Sequence, residues 1–302
     1  MHTEPKFIDE EAARKHIESI RWPNGPVCPH CGGTERNSQL QGESHRAGLY
    51  FCGDCRSQFT VTIGTVFERS KIPLHKWVYA THLMCSSKKG ISSKQLERML
   101  GVTYKTAWFM SHRIREAMKP ESGGLLGSGG QPVEADETYI GKKIGAKVRR
   151  GPAHKEAIFS LVERNGSVRS FHVPDVKAET LKEKLLANVS TKANLMTDKG
   201  GMYRRTKESF PKHAQVDHGA GEYVRGTVHT NTVEGFFGIF KRGMYGTYQH
   251  VSSHHLERYT TEFDFRYNNR IALGVDDNQR TDAALKGISG KRLTYRRIGG
   301  QA

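Results

Sequence analysis

Four of the five cysteines come in two pairs, Cys28-Pro29-His30-Cys31 and Cys52-Gly53-Asp54-Cys55, with twenty residues between the pairs. Nothing else in the chain limits local structure so strongly, because two CxxC knuckles at this separation can give four thiolates to one tetrahedral Zn²⁺. Gly32, Gly33 and Gly53 ease the tight turns that this requires. A disulfide pair is disfavoured in a reducing cytosol, and a redox dithiol normally comes once, beside a βαβ unit. The run Gln58-Phe59-Thr60-Val61-Thr62 and the segment between the pairs alternate as short strands do. Residues 1–70 therefore read as a short helix over 9–20, with Asp9 as N-cap, followed by a zinc ribbon. Cys85 stands alone in an apolar helical stretch and reads as a packed core thiol.

The 302 residues include 47 Lys and Arg against 31 Asp and Glu, a formal charge of +16 that suits a polyanion, nucleic acid first. The excess recurs along the chain, in Lys142-Lys143, Lys147, Arg149-Arg150, Arg204-Arg205, Lys241-Arg242 and Arg296-Arg297. No apolar run approaches the ~20 residues needed to span a bilayer, and the N-terminus lacks the build of a signal peptide. The expectation is a cytoplasmic protein with no membrane partner.

Beyond Ile72-Pro73, residues 74–86 have helical apolar spacing, and Ile91 to Trp108 reads as helix, Gly101 turn, helix. Residues 71–120 are thus expected to form a helix-turn-helix, with a plain αα-hairpin as the alternative. Tyr104, Lys105, His112 and Arg113 would face DNA while Ala107, Trp108, Met110 and Ile114 pack inward. A Gly, Ser and Pro-rich stretch over 121–132 reads as a linker.

From 133 to 275 the pattern changes to α/β. A strand over 132–140 puts Glu134, Asp136 and Thr138 on one face and Glu137 on the other. Strands 157–162 and 167–173 flank Asn165-Gly166, the strongest short hairpin signal. A helix over 178–189 and strands at 193–197 and 213–217 follow, and then the stretch 229–242. Read as a helix, that stretch has Val233, Phe236, Phe237 and Phe240 as a buried stripe, with Asn231, Glu234, Gly238 and Lys241 opposite. Residues 276–302 read as a basic tail. Strand, strand, strand, helix, strand, strand, helix is the order of an RNase H-like catalytic domain with a mixed five-stranded sheet. In it Asp136 lies on the first strand, Asp198 at the end of the fourth and Glu234 on the helix beside them. Three such carboxylates suit a pair of Mg²⁺ or Mn²⁺ ions acting in phosphoryl transfer.

From about Cys28 to Asn269 the chain resembles the zinc-ribbon DDE transposases of bacterial insertion sequences, specifically the ISXO-two-like branch. The resemblance is carried by the paired CxxC, "EADETYIGKK", "TDKG", and "VHTNTVEGFFGIFKRGMYGTYQHV" followed by "EFDFRYNNR". Asp198 and Glu234 have 35 residues between them, a spacing familiar in DDE recombinases. The resemblance implies that Asp136, Asp198 and Glu234 are the catalytic carboxylates, holding Mg²⁺ or Mn²⁺. It implies strand cleavage and joining on double-stranded DNA, transposon ends and target, by a homo-oligomer. His229 and Asn231 match the motif ahead of the glutamate; His229 either orients water or phosphate or makes a helix-start hydrogen bond. Glu134 is a competing ligand, while Asp175 and Asp217 read as surface or turn residues. Lys105, Arg113, Lys199, Lys241 and Arg242 are the candidate contacts to DNA, and Tyr245, Tyr248 and Tyr267 either stack on bases or fill the core. Two other readings stay open: a non-catalytic zinc-ribbon regulator derived from a transposase, and an RNase H-like nuclease.

Overall fold

The computed structural model describes residues 3–120 and 123–294, in two compact units. Among the described residues, one comprises 3–87, 91–119 and 276–294; the other comprises 88–90, 120 and 123–275.

The first unit opens with α1 (Pro5–Ile8) and α2 (Glu10–Arg21). Asp9 Oδ1 accepts the Ala12 amide at 2.7 Å, an N-cap reinforced by Glu10 and Glu11 in the first turn, and Ala13 and Ile17 go into the core. Strands β1 (Asn37–Gln39), β2 (Tyr50–Cys52) and β3 (Gln58–Phe59) form the antiparallel ribbon. Trp22 stands edge-on to Tyr50 and Phe59, at 5.4 and 5.8 Å, and closes one side of it. Then come α3 (Leu74–Ser86), α4 (Ser93–Leu100) and α5 (Tyr104–Ala117), the last two capped by Ser92 and Thr103 and joined through Gly101 at φ +60°. The helix-turn-helix outline is present, but its second helix is covered more widely than two-faced spacing suggests. His112 and Arg113, expected on the DNA side, are buried with Ala107, Met110 and Ile114. Arg113 donates to the Glu68 and Leu293 carbonyls at 3.1 and 3.2 Å and lies over Phe109 and Trp77. Two of its N–H groups are thus engaged and the side chain is buried among aromatic rings, so Arg113 packs inside the unit rather than standing exposed on the DNA side.

The second unit is built on β4 (Val133–Ile140), β5 (Glu156–Glu163), β6 (Val168–Val173), α6 (Ala178–Asn188), β7 (Leu195–Asp198) and β8 (Ala214–Val216). Sheet order is β6-β5-β4-β7-β8, antiparallel from β6 to β4 and parallel from β4 to β8. Asn165, at φ +55°, turns the β5–β6 hairpin. A small ribbon, β9 (Val224–Arg225) and β10 (Val228–His229), leads into α7 (Asn231–Gly243), a π-helical turn over Met244–Tyr248, and α8 (Leu256–Asn268). Alternation along β4 and β5 sends Val133, Ala135, Phe159 and Leu161 to one face, against Leu181 and Leu185 of α6. Ile140, Ile158 and Val162 go to the other, against Val233, Phe236, Phe237 and Phe240 of α7 and Phe263 of α8. Of the expected linker, residues 121–122 lie outside the described residues, and the rest is docked. Leu126 is buried, pairs with Asn188 and Ser190 through its backbone, and is followed by Gly127 donating to Glu163.

After α8 the chain returns to the first unit as α9 (Asp277–Lys286). The expected basic tail is therefore a helix in its first half, begun by a reciprocal capping box between Asp276 and Gln279. Thr281, Ala284, Leu285 and Ile288 are buried, and Arg280 donates to the Cys85 carbonyl of α3 at 2.9 Å. Residues 295–302 lie outside the described residues.

Candidate active site

Asp136 sits midway along β4, opposite Ser160 of β5, and Asp198 ends the neighbouring parallel strand β7. Glu234 is in the first turn of α7. These three come from separate places in the chain and act on one another. Burial first, then the Glu137 charge, and then those of Asp198 and Glu234 push the Asp136 carboxyl up to about 8. Burial also raises Asp198, Glu234 adding to the shift and His218 opposing it. Asp198 Oδ1 is buried with no hydrogen-bond partner among the described residues. Crowded carboxyls with an unpartnered hard oxygen are a donor set that fits divalent Mg²⁺ or Mn²⁺.

Glu234 accepts a hydrogen bond from Thr230 Oγ1 at 3.0 Å and lies 3.7 Å from His218 Nε2. His218 was missed in the sequence. It sits in a 3₁₀ turn after β8, against Tyr223, where its charge also bears on Asp198. A single loop histidine carries no periodic signal, so only the fold brings it to these carboxylates.

Glu134, expected as a competing ligand, is not free for a metal. It is fully buried and accepts from Thr232 N (2.7 Å), Thr232 Oγ1 (2.8 Å), Val233 N (3.0 Å) and Arg164 Nε (2.5 Å). The residue at the start of α7, Thr230, makes no side-chain cap. Glu134, 98 residues earlier, supplies it instead, placing a carboxylate at the positive end of the helix. His229 belongs to the same arrangement: Nδ1 lies 3.3 Å from Glu134 Oε1 and 3.4 Å from the Asn231 amide, the helix-start role. Asn231 is exposed at the first position of α7. Glu137 takes the other face of β4, where Tyr203 donates to it at 3.0 Å, yet its charge still reaches Asp136 and Asp198.

Among the candidate DNA contacts, Lys105 is exposed in the first turn of α5, and Lys241 and Arg242 are exposed in the last turn of α7. Lys199 is exposed but paired with Asp217 at 2.8 Å. Asp175 closes a turn onto Lys177 and Thr180. Tyr248 and Tyr267 pack edge-on against Tyr259 and Phe236, and Tyr245 is exposed.

In the first unit the Sγ atoms of Cys28, Cys31, Cys52 and Cys55 all lie within 4.8 Å of one another, Cys28–Cys55 and Cys31–Cys52 at 3.6 Å. Disulfide sulfurs would be about 2.05 Å apart, whereas a tetrahedron with Zn–S near 2.3 Å has edges of about 3.8 Å. The four thiols fit structural zinc.

A mixed sheet in this order, with carboxylates on its first strand, at the end of its fourth and on the following helix, is an RNase H-like polynucleotidyl-transferase domain, here behind a Cys₄ ribbon. Residues 125–268 match the ISXO2-like transposase domain and residues 8–58 match the transposase zinc-ribbon domain. The chain is 30% identical over 281 residues to an uncharacterized protein in transposable element ISH50 of Halobacterium salinarum, covering 86% of this chain and 91% of that one. The chain belongs to the ISXO2-like family of DDE transposases with an N-terminal zinc ribbon. Among the described residues no helix is long and apolar enough to cross a membrane.

Proposed function

We propose that this transposase binds the ends of its element and carries out metal-dependent DNA strand cleavage and strand transfer, with Asp136, Asp198 and Glu234 as the carboxylates of the site. The observation that supports the reading is geometric: Asp136 lies on β4, Asp198 ends the neighbouring parallel strand β7 with its Oδ1 buried and unpartnered, and Glu234 is in the first turn of α7, which Glu134 of β4 caps. When bound there, Mg²⁺ or Mn²⁺ supplies charge neutralisation at the scissile phosphate and activates the attacking water or 3′-hydroxyl. The chain's own part is positioning. The β4–β7 pairing, in register through Glu134 and Met196, has each aspartate two residues further along its strand, and the Glu134 cap sets where α7 begins and so where Glu234 projects. Thr230 orients the Glu234 oxygen, and His218 stands where it can hydrogen-bond a phosphate oxygen near both Asp198 and Glu234. Lys105, Lys199, Lys241 and Arg242 contact the DNA backbone, the four cysteines hold Zn²⁺, and the protein works as a homo-oligomer on paired ends.

The test uses labelled element-end duplexes with Asp136→Asn, Asp198→Asn and Glu234→Gln. Each variant is expected to lose nicking and joining while retaining end binding. Full cleavage by any one of them removes that residue from the site. Cleavage of an RNA–DNA hybrid in preference to the ends would favour the nuclease reading.

A further inference from the structure

The three β4 residues that follow Asp136 line a cavity of about 580 Å³ in the second unit. Glu137 and Tyr139 of β4 form one wall, and Arg149, His154, Lys155 and Lys241 form the other. The first three of these come from the β4–β5 connection, residues 141–155, which contains Lys142, Lys143, Lys147, Arg149, Arg150 and Lys155 and no acidic residue. Antiparallel neighbours need only about 2–5 residues to connect them, and connections beyond about 12–15 without helix or strand are usually functional. This one is also held in shape: Lys143 N donates to the His154 carbonyl at 2.9 Å, Lys155 N to Pro152 at 2.8 Å and Lys143 Nζ to Pro174 at 3.2 Å.

Apart from Glu137, whose carboxylate accepts from Tyr203, the charged groups lining the cavity suit an anion. Arg149, Lys155 and Lys241 make no ion pair among the described residues, and His154 Nδ1 is buried there without a hydrogen-bond partner. Tyr139 is half-buried, leaving part of its ring to the cavity. The volume falls within the range of small-molecule sites, about 300–1,000 Å³, and is ample for one nucleotide. Cations suit its phosphate, and an aromatic ring suits any base.

We propose that this cavity is a subsite for one nucleotide of the DNA strand next to the scissile phosphate, its phosphate held by Arg149, Lys155 and Lys241 and its base against Tyr139. The proposal rests on the reading of Asp136, Asp198 and Glu234 as the cleavage site.

The test is Mg²⁺-dependent cleavage by the full-length protein on end duplexes in which single phosphates around the cut are replaced, one at a time, by neutral methylphosphonates. Wild type is compared with Arg149→Ala/Lys155→Ala. Wild type should lose about tenfold at one linkage beyond its loss elsewhere, and the double variant, already about tenfold slower, should lose nothing more there. Lys155→Arg should restore the sensitivity. Equal losses in both proteins at every linkage, or a double variant as fast as wild type, overturns the subsite. An abasic nucleotide at the sensitive position should slow wild type but not Tyr139→Leu; equal slowing removes Tyr139 from it. Normal cleavage by Asp136→Asn would instead sink the underlying reading, whereas an inactive Asp136→Asn beside an unaffected double variant sinks the subsite alone.

Discussion

Replacing Glu134 with Ala separates a metal ligand from a helix cap. The carboxylate is fully buried, and its loss strips an acceptor from Arg164 Nε, Thr232 N, Thr232 Oγ1 and Val233 N. Removing one partner of a buried ion pair costs about 3–5 kcal/mol. Arg164 keeps the Thr227 and His229 carbonyls at 2.8 and 3.0 Å, which sets this part near the lower end. Two stranded amides at the start of α7 add roughly 1 kcal/mol each, for a total of about 5 kcal/mol. Glu134→Gln keeps the shape but turns an NH₂ toward either Arg164 or the α7 amides, so it should cost roughly half as much. All three tryptophans, Trp22, Trp77 and Trp108, lie in the first unit, so indole fluorescence does not read this region. Amide hydrogen exchange at Thr232 and Val233 does, and should speed up on the order of a thousandfold in Glu134→Ala, at about 1.4 kcal/mol per decade. Cleavage should fail with it, because Glu234 is no longer held. Asp136→Asn should fail in cleavage with α7 exchange unchanged. If Glu134→Ala abolishes cleavage while those amides exchange as in wild type, Glu134 is a ligand and the cap argument is wrong.

Chelating the ribbon metal, or Cys31→Ser, should release one Zn²⁺ per chain and shift Trp22 emission, since Trp22 packs on Tyr50 and Phe59 of the ribbon strands; unchanged emission on metal loss would refute that coupling. Burial pushes Asp264 up to about 7 while Ser170 N and Oγ donate to it. A folded pKa above the unfolded value of about 3.9 means a stability contribution complete below pH 4 and lost as pH rises through 7. Asp264→Asn should therefore flatten the decline in unfolding midpoint between pH 4 and 7, and an unaltered pH profile would count against it. Gly243→Ala places a methyl 2.4 Å from Phe263 Cζ in the packed core. Overpacking of about 1–3 kcal/mol should outweigh the roughly 1 kcal/mol gain in helix propensity, so chemical denaturation should show a less stable protein.

What the sequence disclosed is what local periodicity encodes. The α3 helix, the hairpin on Asn165-Gly166 and the buried stripe of Val233, Phe236, Phe237 and Phe240 follow from spacings of 3.6 and 2 and from turn chemistry. The same alternation correctly set Glu134 and Asp136 on one face of β4. It could not show that α7 amides 98 residues away claim Glu134. Arg113 failed for a related reason: spacing along α5 says nothing about a carbonyl arriving from Leu293, 180 residues on. His218 had no pattern at all. The α9 helix has a local signal, Asp276 and Gln279 at capping-box spacing ahead of Thr281, Ala284, Leu285 and Ile288, whereas the positive charge over 276–302 by itself suggests a tail.

The first unit is closed by a stretch that comes after the whole second unit in the chain. Val66 donates to the Ile288 carbonyl, Gly290 to that of Gly64, and α9 lies along α3, so a growing polypeptide must deliver the whole second unit before these neighbours exist. A ribosome that stops anywhere in the gene's middle releases a ribbon and helices without their closing strut. Premature termination thus leaves the Cys85 carbonyl without Arg280 and Val66 without the Ile288 carbonyl, an unfinished first unit rather than a smaller finished one.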